Sequence, residues 1–465
     1  MPNRVMEGAC SGRWDSAMKS FLKLCLSGLA ATVLVALFAV PGTTQEHSRY
    51  QTLTNPQVRE MLDKIEVDIK DHYYDPQLHG LDLDKRFESA RQKIATAQSQ
   101  NEALLQVAGA VAALSDSHTR FLPPPAPYGV EYGWLMQAVG DSNCYVTEVR
   151  PDSDAATKGL RPGDQVESVN GITLTRQDLS YVEYGYRVFP QSGLHLVVRS
   201  ADGSQKTIVA MAKVLPGQPL IRHSDQMTWM RNHAHDVARD RSRYHREGNV
   251  LFWKLPDFLM EPADMEESLN KTHSLGSVVL DLRGNPGGNV TALVKLVGGF
   301  FTHDVRIGDR KTRRDSVPQI AKTRGGKAFG GKLIVLVDSR SSSAAEIFAR
   351  VVQLEKRGVV LGDRSAGAVM EAQFFPHAVS LSPTTMSPYG ATITEAALVM
   401  SDGGTLEKVG VTPDERIVPT PADLAEGRDP VLARAAELVG LKMTVQEAGK
   451  VFPFEWPKEQ MPEID

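Results

Sequence analysis

Apolar residues recur at helical spacing early in the chain and in short runs later. Val58, Met61, Leu62, Ile65 and Ile69 follow the three-and-four spacing of an amphipathic helix, as do Leu104, Val107, Val111 and Leu114. The pattern predicts helices from about 55 to 118. It stops at Ser115-Asp116-Ser117-His118, and Pro123-Pro124-Pro125 prevents any continuation. From about Tyr132 to Val214 the pattern changes to alternation. Val146–Val149, Gln165–Val169 and Leu194–Val198 read as half-buried strands. Leu160-Arg161-Pro162-Gly163-Asp164 and Asn170-Gly171 read as turns between them. After Pro216 the apolar runs become continuous: Val250–Trp253, Val278–Leu282, Leu333–Val337 and Val359–Leu361. These read as buried strands, with helical runs between several of them, and together they predict layered sheet and helices.

The N-terminus has a different pattern. Lys19 and Lys23 precede an almost wholly apolar run from Leu24 to Val40, closed by Pro41-Gly42-Thr43-Thr44. This is the layout of a secretory signal, with Met18 a candidate start. The run is also nearly long enough to act as an uncleaved membrane anchor. Either form predicts an exported protein, periplasmic or extracellular. Of three cysteines, Cys10 and Cys25 lie in or before this segment. Cys144 alone remains, which excludes an intrachain disulfide and a multi-cysteine zinc site in the mature chain.

The 465 residues have ordinary globular composition, with 42% hydrophobic and 23% charged residues. A net charge of −4 without a basic stripe gives no support for nucleic-acid binding. The cluster Arg310-Lys311-Thr312-Arg313-Arg314 reads as a solvated loop. His233, His235 and Asp236 lack a recognisable third metal ligand and read as a polar helix face.

Two junctions carry candidate chemistry. Asp338-Ser339-Arg340-Ser341-Ser342-Ser343 falls where the strand ending at Val337 meets a helix-like run from Ala344 to Leu354. A hydroxyl at such a junction can be exposed, and a helix N-terminus can stabilise negative charge. Gly284-Asn285-Pro286-Gly287-Gly288-Asn289 follows a second buried strand and precedes a helix-like run, so its backbone amides can approach an oxyanion closely. No Gly-Lys-Ser/Thr follows, and the spacing is not that of a dinucleotide site.

Ala155–Gly171, with Gly159-Leu160-Arg161-Pro162-Gly163-Asp164 and Asn170-Gly171, resembles the central part of a PDZ domain. The resemblance implies strand addition of a peptide at the loop Tyr132-Gly133-Trp134-Leu135. The combination "VVLDLRGNPGG", "LIVLVDSRSSSAAEIFA", "GVVLGDRSAGA" and "EKVGVTPD" resembles the catalytic domain of S41 serine peptidases, the tail-specific and C-terminal processing proteases with their tricorn-core relatives. It implies an α/β fold: an N-terminal helical segment, a small PDZ-like β domain, and a layered α/β catalytic core of the ClpP/crotonase-like type. The expected bounds are 1–45 for the signal or anchor, 50–125 helical, 128–215 PDZ-like, 217–440 core and 441–465 tail.

The same resemblance makes Ser343 the nucleophile, with the amides of Ala344 and of Gly287 or Gly288 as oxyanion hole. The Ser/Lys branch of the family has a base lysine where this chain has Ala368. A methyl group takes no proton, and Lys356, on the preceding helix-like run, does not replace it. The tricorn-like branch instead implies His118 as base, assisted by Ser117 and Glu407, with Glu371 and Asp402 as competing acids. The expected function is an exported serine endopeptidase acting on protein or peptide substrates without metal or organic cofactor. A base-less peptide-binding relative and a small-substrate serine esterase or amidase are the alternatives. Residues 24–40 offer membrane attachment.

Overall fold

The computed structural model describes residues 53–126, 128–216, 221–222, 242–383 and 385–456. The apolar run 24–40 and the His233/His235/Asp236 group lie outside them. Among the described residues no helix is long and apolar enough to cross a membrane.

The N-terminal segment forms three helices, α1 (Asn55–His72), α2 (Leu83–Thr96) and α3 (Gln100–Ala112). Asp82 and Ser99 cap the second and third, accepting from Lys85 N (3.0 Å) and Glu102 N (3.2 Å). The apolar faces of all three are buried. Strand β1 (Arg120–Leu122) follows and leaves the helical layer. It pairs antiparallel with a strand far along the chain, Arg120 opposite Thr392. That pairing carries Ser117 and His118 from the helical segment into the core.

The PDZ-like unit comprises β2 (Tyr128–Glu131), β3 (Trp134–Val139), β4 (Asn143–Val149), α4 (Asp154–Thr157), β5 (Gln165–Val169), β6 (Ile172–Thr173), α5 (Leu179–Val188), β7 (Gly193–Arg199), β8 (Gln205–Met211) and β9 (Lys213–Pro216). Its main sheet has the order β3-β4-β5-β7-β8, leaving β3 at an edge. Strands β2 and β9 pair with each other and close the entry and exit of the unit. Cys144 is buried in this sheet, and burial pushes its thiol up to about 11.

Two further sheets build the core. Strand β10 (Ile221–Arg222) belongs to the outer one. The central sheet has β11 (Arg243–Glu247) at one edge, followed by β12 (Val250–Lys254), then helix α6 (Pro262–Asn270) and β13 (Ser277–Asp281). Helix α7 (Val290–Phe300), the hairpin β14 (Val305–Thr312) and β15 (Ser316–Ala321), β16 (Lys332–Val337), α8 (Ala344–Leu354) and β17 (Val359–Gly362) follow. The long hairpin β18 (Met370–Ser382) and β19 (Thr385–Met400) then enters the outer sheet, and β20 (Glu415–Arg416) closes the central one. Strands β12, β13, β16, β17 and β20 run parallel. They are covered on both faces, which explains their continuous apolar runs. Leu251, Trp253, Val278, Leu280, Leu333 and Val335 face α7 and α8. Val250, Phe252, Val279, Ile334 and Leu336 face α10 (Pro430–Leu438), which follows the short α9 (Pro421–Glu426).

Two expectations need correction. Arg310 to Thr312 end strand β14 rather than lying in a loop, and Arg310 makes a bidentate pair with Glu371 on the neighbouring hairpin (2.8 Å). One face of this outer sheet meets solvent, so basic residues are tolerated there. The segment after 440 is also not a detached tail. Helix α11 (Val445–Gly449) buries Ala448 in the same layer as α10, with Leu441, Met443 and Phe452 packed around it.

Candidate active site

Strands β13 and β16 are parallel neighbours, so the loops leaving their carboxyl ends lie side by side. The glycine loop 284–288 leaves one and the serine turn 338–343 leaves the other. Asp338 joins them, accepting from Gly284 N (2.9 Å) and from Arg340 N and Ser341 N (both 3.0 Å). Ser341 is fully buried and donates to Leu282 O (2.8 Å). Ser342 donates to Pro286 O (2.9 Å), and Ser339 to Ala138 O (2.5 Å). Three of the four serines are thus committed to shaping the turn.

Ser343 is the N-cap of α8 and has φ 55°, ψ −118°. That region suits glycine, and a Cβ there stores strain of about 1–3 kcal/mol. Its N–H donates to Ala368 O (2.9 Å) and to Glu346 Oε2 (3.1 Å). Gly287 and Gly288 lie alongside with φ 93° and 139°. A Cβ on Gly287 would stand 2.5 Å from Ser343 Cβ, and one on Gly288 would stand 2.7 Å from the Phe258 carbonyl carbon. The two amides differ. Gly287 N–H donates to Asn285 Oδ1 (2.8 Å), whereas the bridge of Gly288 to Phe258 uses Gly287 O and Asn289 N. Among the described residues the N–H groups of Gly288 and Ala344 have no acceptor, while that of Gly287 has one.

Ser117, His118 and Glu407 come together from opposite ends of the chain. Glu407 Oε2 accepts from Ser117 Oγ (2.8 Å) and Val369 N (2.8 Å), and its Oε1 from Ser117 N (2.9 Å). Ser117 Oγ also lies 2.7 Å from His118 Nδ1. With Glu407 ionised, the hydroxyl proton points to the carboxylate, so Nδ1 carries the proton and Nε2 is left as acceptor. Asp116 fixes the turn by accepting from His118 N (2.8 Å), Thr119 N (2.7 Å) and Tyr73 Oη (3.0 Å). Burial lowers His118 to about 4, and burial raises Glu407 above the usual carboxylate range.

The peptide 368–369 connects the two groups. Ala368 O accepts from Ser343 N, and the next amide donates to Glu407. Among the described residues no hydrogen bond joins His118 to Ser343. Glu371 and Asp402 are spent on Arg310 and Arg350 (2.6 Å), away from this group. Lys356 follows the C-terminal end of α8, about 20 Å from its N-cap at helical rise.

Two contributors escaped sequence reading. Glu346 is fully buried, and its carboxylate accepts from Ser365 Oγ (2.5 Å), Gly367 N (2.7 Å), Ala368 N (2.9 Å) and Ser343 N. Burial raises it more than these donors lower it, so that it stands at about 7. All four donate, so the arrangement suits the ionised form. Asp116 is the other, and its only sequence signal is its place between two serines.

The PDZ loop is placed less freely than its sequence implies. Trp134 is buried, Tyr132 donates to Gln191 O (3.0 Å), and Leu135 is exposed. Gly133 has φ 69° and packs on Ser153. The free edge of β3 is met by the serine turn itself. Arg340 donates to Met136 O and pairs with Glu183 of α5 (2.7 Å), spanning the groove between strand and helix.

Residues 249–417 match peptidase family S41, and residues 127–182 match the PDZ domain. The core therefore carries a peptidase family S41 domain over residues 249–417. The chain is 26% identical over 407 residues to a putative tricorn protease homologue 2 of Streptomyces coelicolor, covering 82% of this chain and 32% of that protein. It is 22% identical to a carboxy-terminal-processing protease of Bartonella bacilliformis (69% of each). It is 23% identical to a tail-specific protease of Haemophilus influenzae (71% and 48%). It therefore spans less than two thirds of some of these relatives. Mature CPAF shares the fold at TM-score 0.58 and 15% identity, covering 80% of this chain and 94% of its own.

Proposed function

We propose that this chain is an exported serine endopeptidase that cleaves polypeptides through an acyl-enzyme on Ser343. The observation that carries the reading is the Glu407–Ser117–His118 chain, held to the Ser343 backbone through peptide 368–369 where the lysine branch has its base. His118 Nε2 takes the Ser343 proton as Oγ attacks the carbonyl, then returns it to the leaving amine. Ser117 and Glu407 hold the tautomer and stabilise the imidazolium. Gly288 N–H and Ala344 N–H receive the oxyanion; Gly287 brings its backbone close to the serine rather than donating. The PDZ-like unit receives substrate tails near Leu135, and the names of the relatives favour C-terminal segments as targets. Residues 24–40 direct export, with or without retention at the membrane. A silent peptide-binding relative has no use for a strained serine beside two unspent amides.

A fluorophosphonate probe tests this reading. Wild type should label and should cleave an unstructured polypeptide. Ser343→Ala should lose both, and His118→Ala should lose cleavage by roughly three to four orders of magnitude while keeping weak labelling. Cleavage unchanged in His118→Ala would sink the assignment of the base.

A further inference from the structure

A cavity of about 440 Å³ lies between the PDZ-like unit and the core, away from Ser343. Strands β3 and β4 form one wall, and the segment around α9 with Phe452 and Phe454 forms another. Charged groups line it, and nearly all are neutralised. Arg283 is paired with Asp281 (2.8 Å) and Asp429 (2.7 Å), and Arg428 with Asp423 (2.8 Å). Asp363 is paired with Arg176 (2.8 Å) and Arg416 (3.3 Å), and Asp338 accepts from backbone amides and from Gln137 (2.8 Å). Glu148 is the exception. Among the described residues its carboxylate has neither hydrogen bond nor ion pair, and burial alone pushes it up to about 7.

An uncompensated carboxylate beside phenylalanine, leucine and isoleucine side chains selects for a cation on an apolar stem. We propose that this cavity binds an organic cation, an ammonium or guanidinium on a short aliphatic chain, with Glu148 as its counter-ion. Free amines and the side chain of a lysine or arginine share this chemistry. One such lysine, Lys458, follows the wall residue Phe454 by four positions in the sequence. A bound cation would touch both β3 and Asp338, and so tie the PDZ-like unit to the turn that carries the serine.

Calorimetric titration of the full-length Ser343→Ala chain at pH 8 with butylamine and butylguanidine, and with butanol as neutral control, tests the proposal. Both cations should bind saturably and butanol should not. Glu148→Gln, close in shape, should weaken binding about tenfold to a hundredfold, the weight of one charge-assisted hydrogen bond. Tighter binding in a Lys458→Ala chain would identify that lysine as the resident source of the cation, and unchanged binding would identify an external one. Equal binding with and without Glu148, or no binding to either chain that retains it, would overturn the proposal.

Discussion

Ser343, the proposed nucleophile, is held in a conformation its own side chain disfavours. The φ of 55° is held by three contacts: Ala368 O and Glu346 on its amide, and Gly287 pressed against its Cβ. Removing the Cβ should relax the turn. Ser343→Gly is expected to be more stable than Ser343→Ala by about 1 kcal/mol, the strain being partly offset by the greater freedom of glycine when unfolded. Equal denaturation midpoints for the two variants would show that the turn is unstrained. His118 supplies the second residue-scale expectation. In the proposed mechanism its neutral form is the base, and burial lowers it to about 4. Activity per enzyme should therefore hold from neutral pH to about 5 and fall toward pH 4, rather than at the ordinary histidine value of about 6.5. The folding linkage has the same direction. The unfolded imidazole takes up its proton near 6.5, so His118's contribution is complete above that and is lost as pH falls toward 4. A kcat/KM profile with its acid limb near 6.5 would place the histidine in open solvent.

At the scale of elements, the site exists because parallel strands end together. Gly288 is positioned by its bridge to Phe258, and its φ of 139° is open only to glycine. Gly288→Ala should lower kcat by roughly two to three orders of magnitude, the loss seen when an oxyanion donor is misplaced. Steady-state kinetics on an unstructured polypeptide decides this, and an unchanged kcat would move the oxyanion elsewhere. The four continuous apolar runs are legible in the sequence because strands covered on both faces need apolar residues at every position. The hairpin β18–β19 is not, because its partly exposed faces admit Glu371, Gln373 and His377 among the apolar residues. The place of Ser343 at the start of α8 is legible from the strand–helix junction; its positive φ is not. The difference between the Gly287 and Gly288 amides is not legible either, since it depends on which amide the Asn285 side chain takes. Glu346 is hidden for a related reason: a glutamate in the first turn of a helix reads as an ordinary capping residue, and its burial arises from the loop 365–368 folding over it.

At the scale of the whole molecule, one arginine links the PDZ-like unit to the loop that arranges the site. Arg176, between β6 and α5, is buried against buried Asp363 (2.8 Å). It also donates to Gly140 O within its own unit (2.7 Å) and to the carbonyls of Arg364 and Ser365 in the core. Ser365 is the residue whose hydroxyl holds Glu346, and three positions later Ala368 meets the Ser343 amide. Loss of Arg176 therefore reaches the serine through a few bonds as well as loosening the interface. Removing one partner of a buried pair leaves the other desolvated, a cost of about 3–5 kcal/mol. Arg416 remains to Asp363 and keeps the cost toward the lower value. Arg176→Met should thus lower the unfolding midpoint and reduce kcat/KM together. Arg176→Lys should rescue little, because one ammonium cannot span a carboxylate and three carbonyls as the planar fork does. Adding Asp363→Asn to Arg176→Met should be less damaging than the sum of the single changes, since the charge left unpaired by the first is removed by the second. Additive losses in that cycle, or full activity in Arg176→Met, would mean that the PDZ-like unit is attached to the core without setting the geometry of the serine.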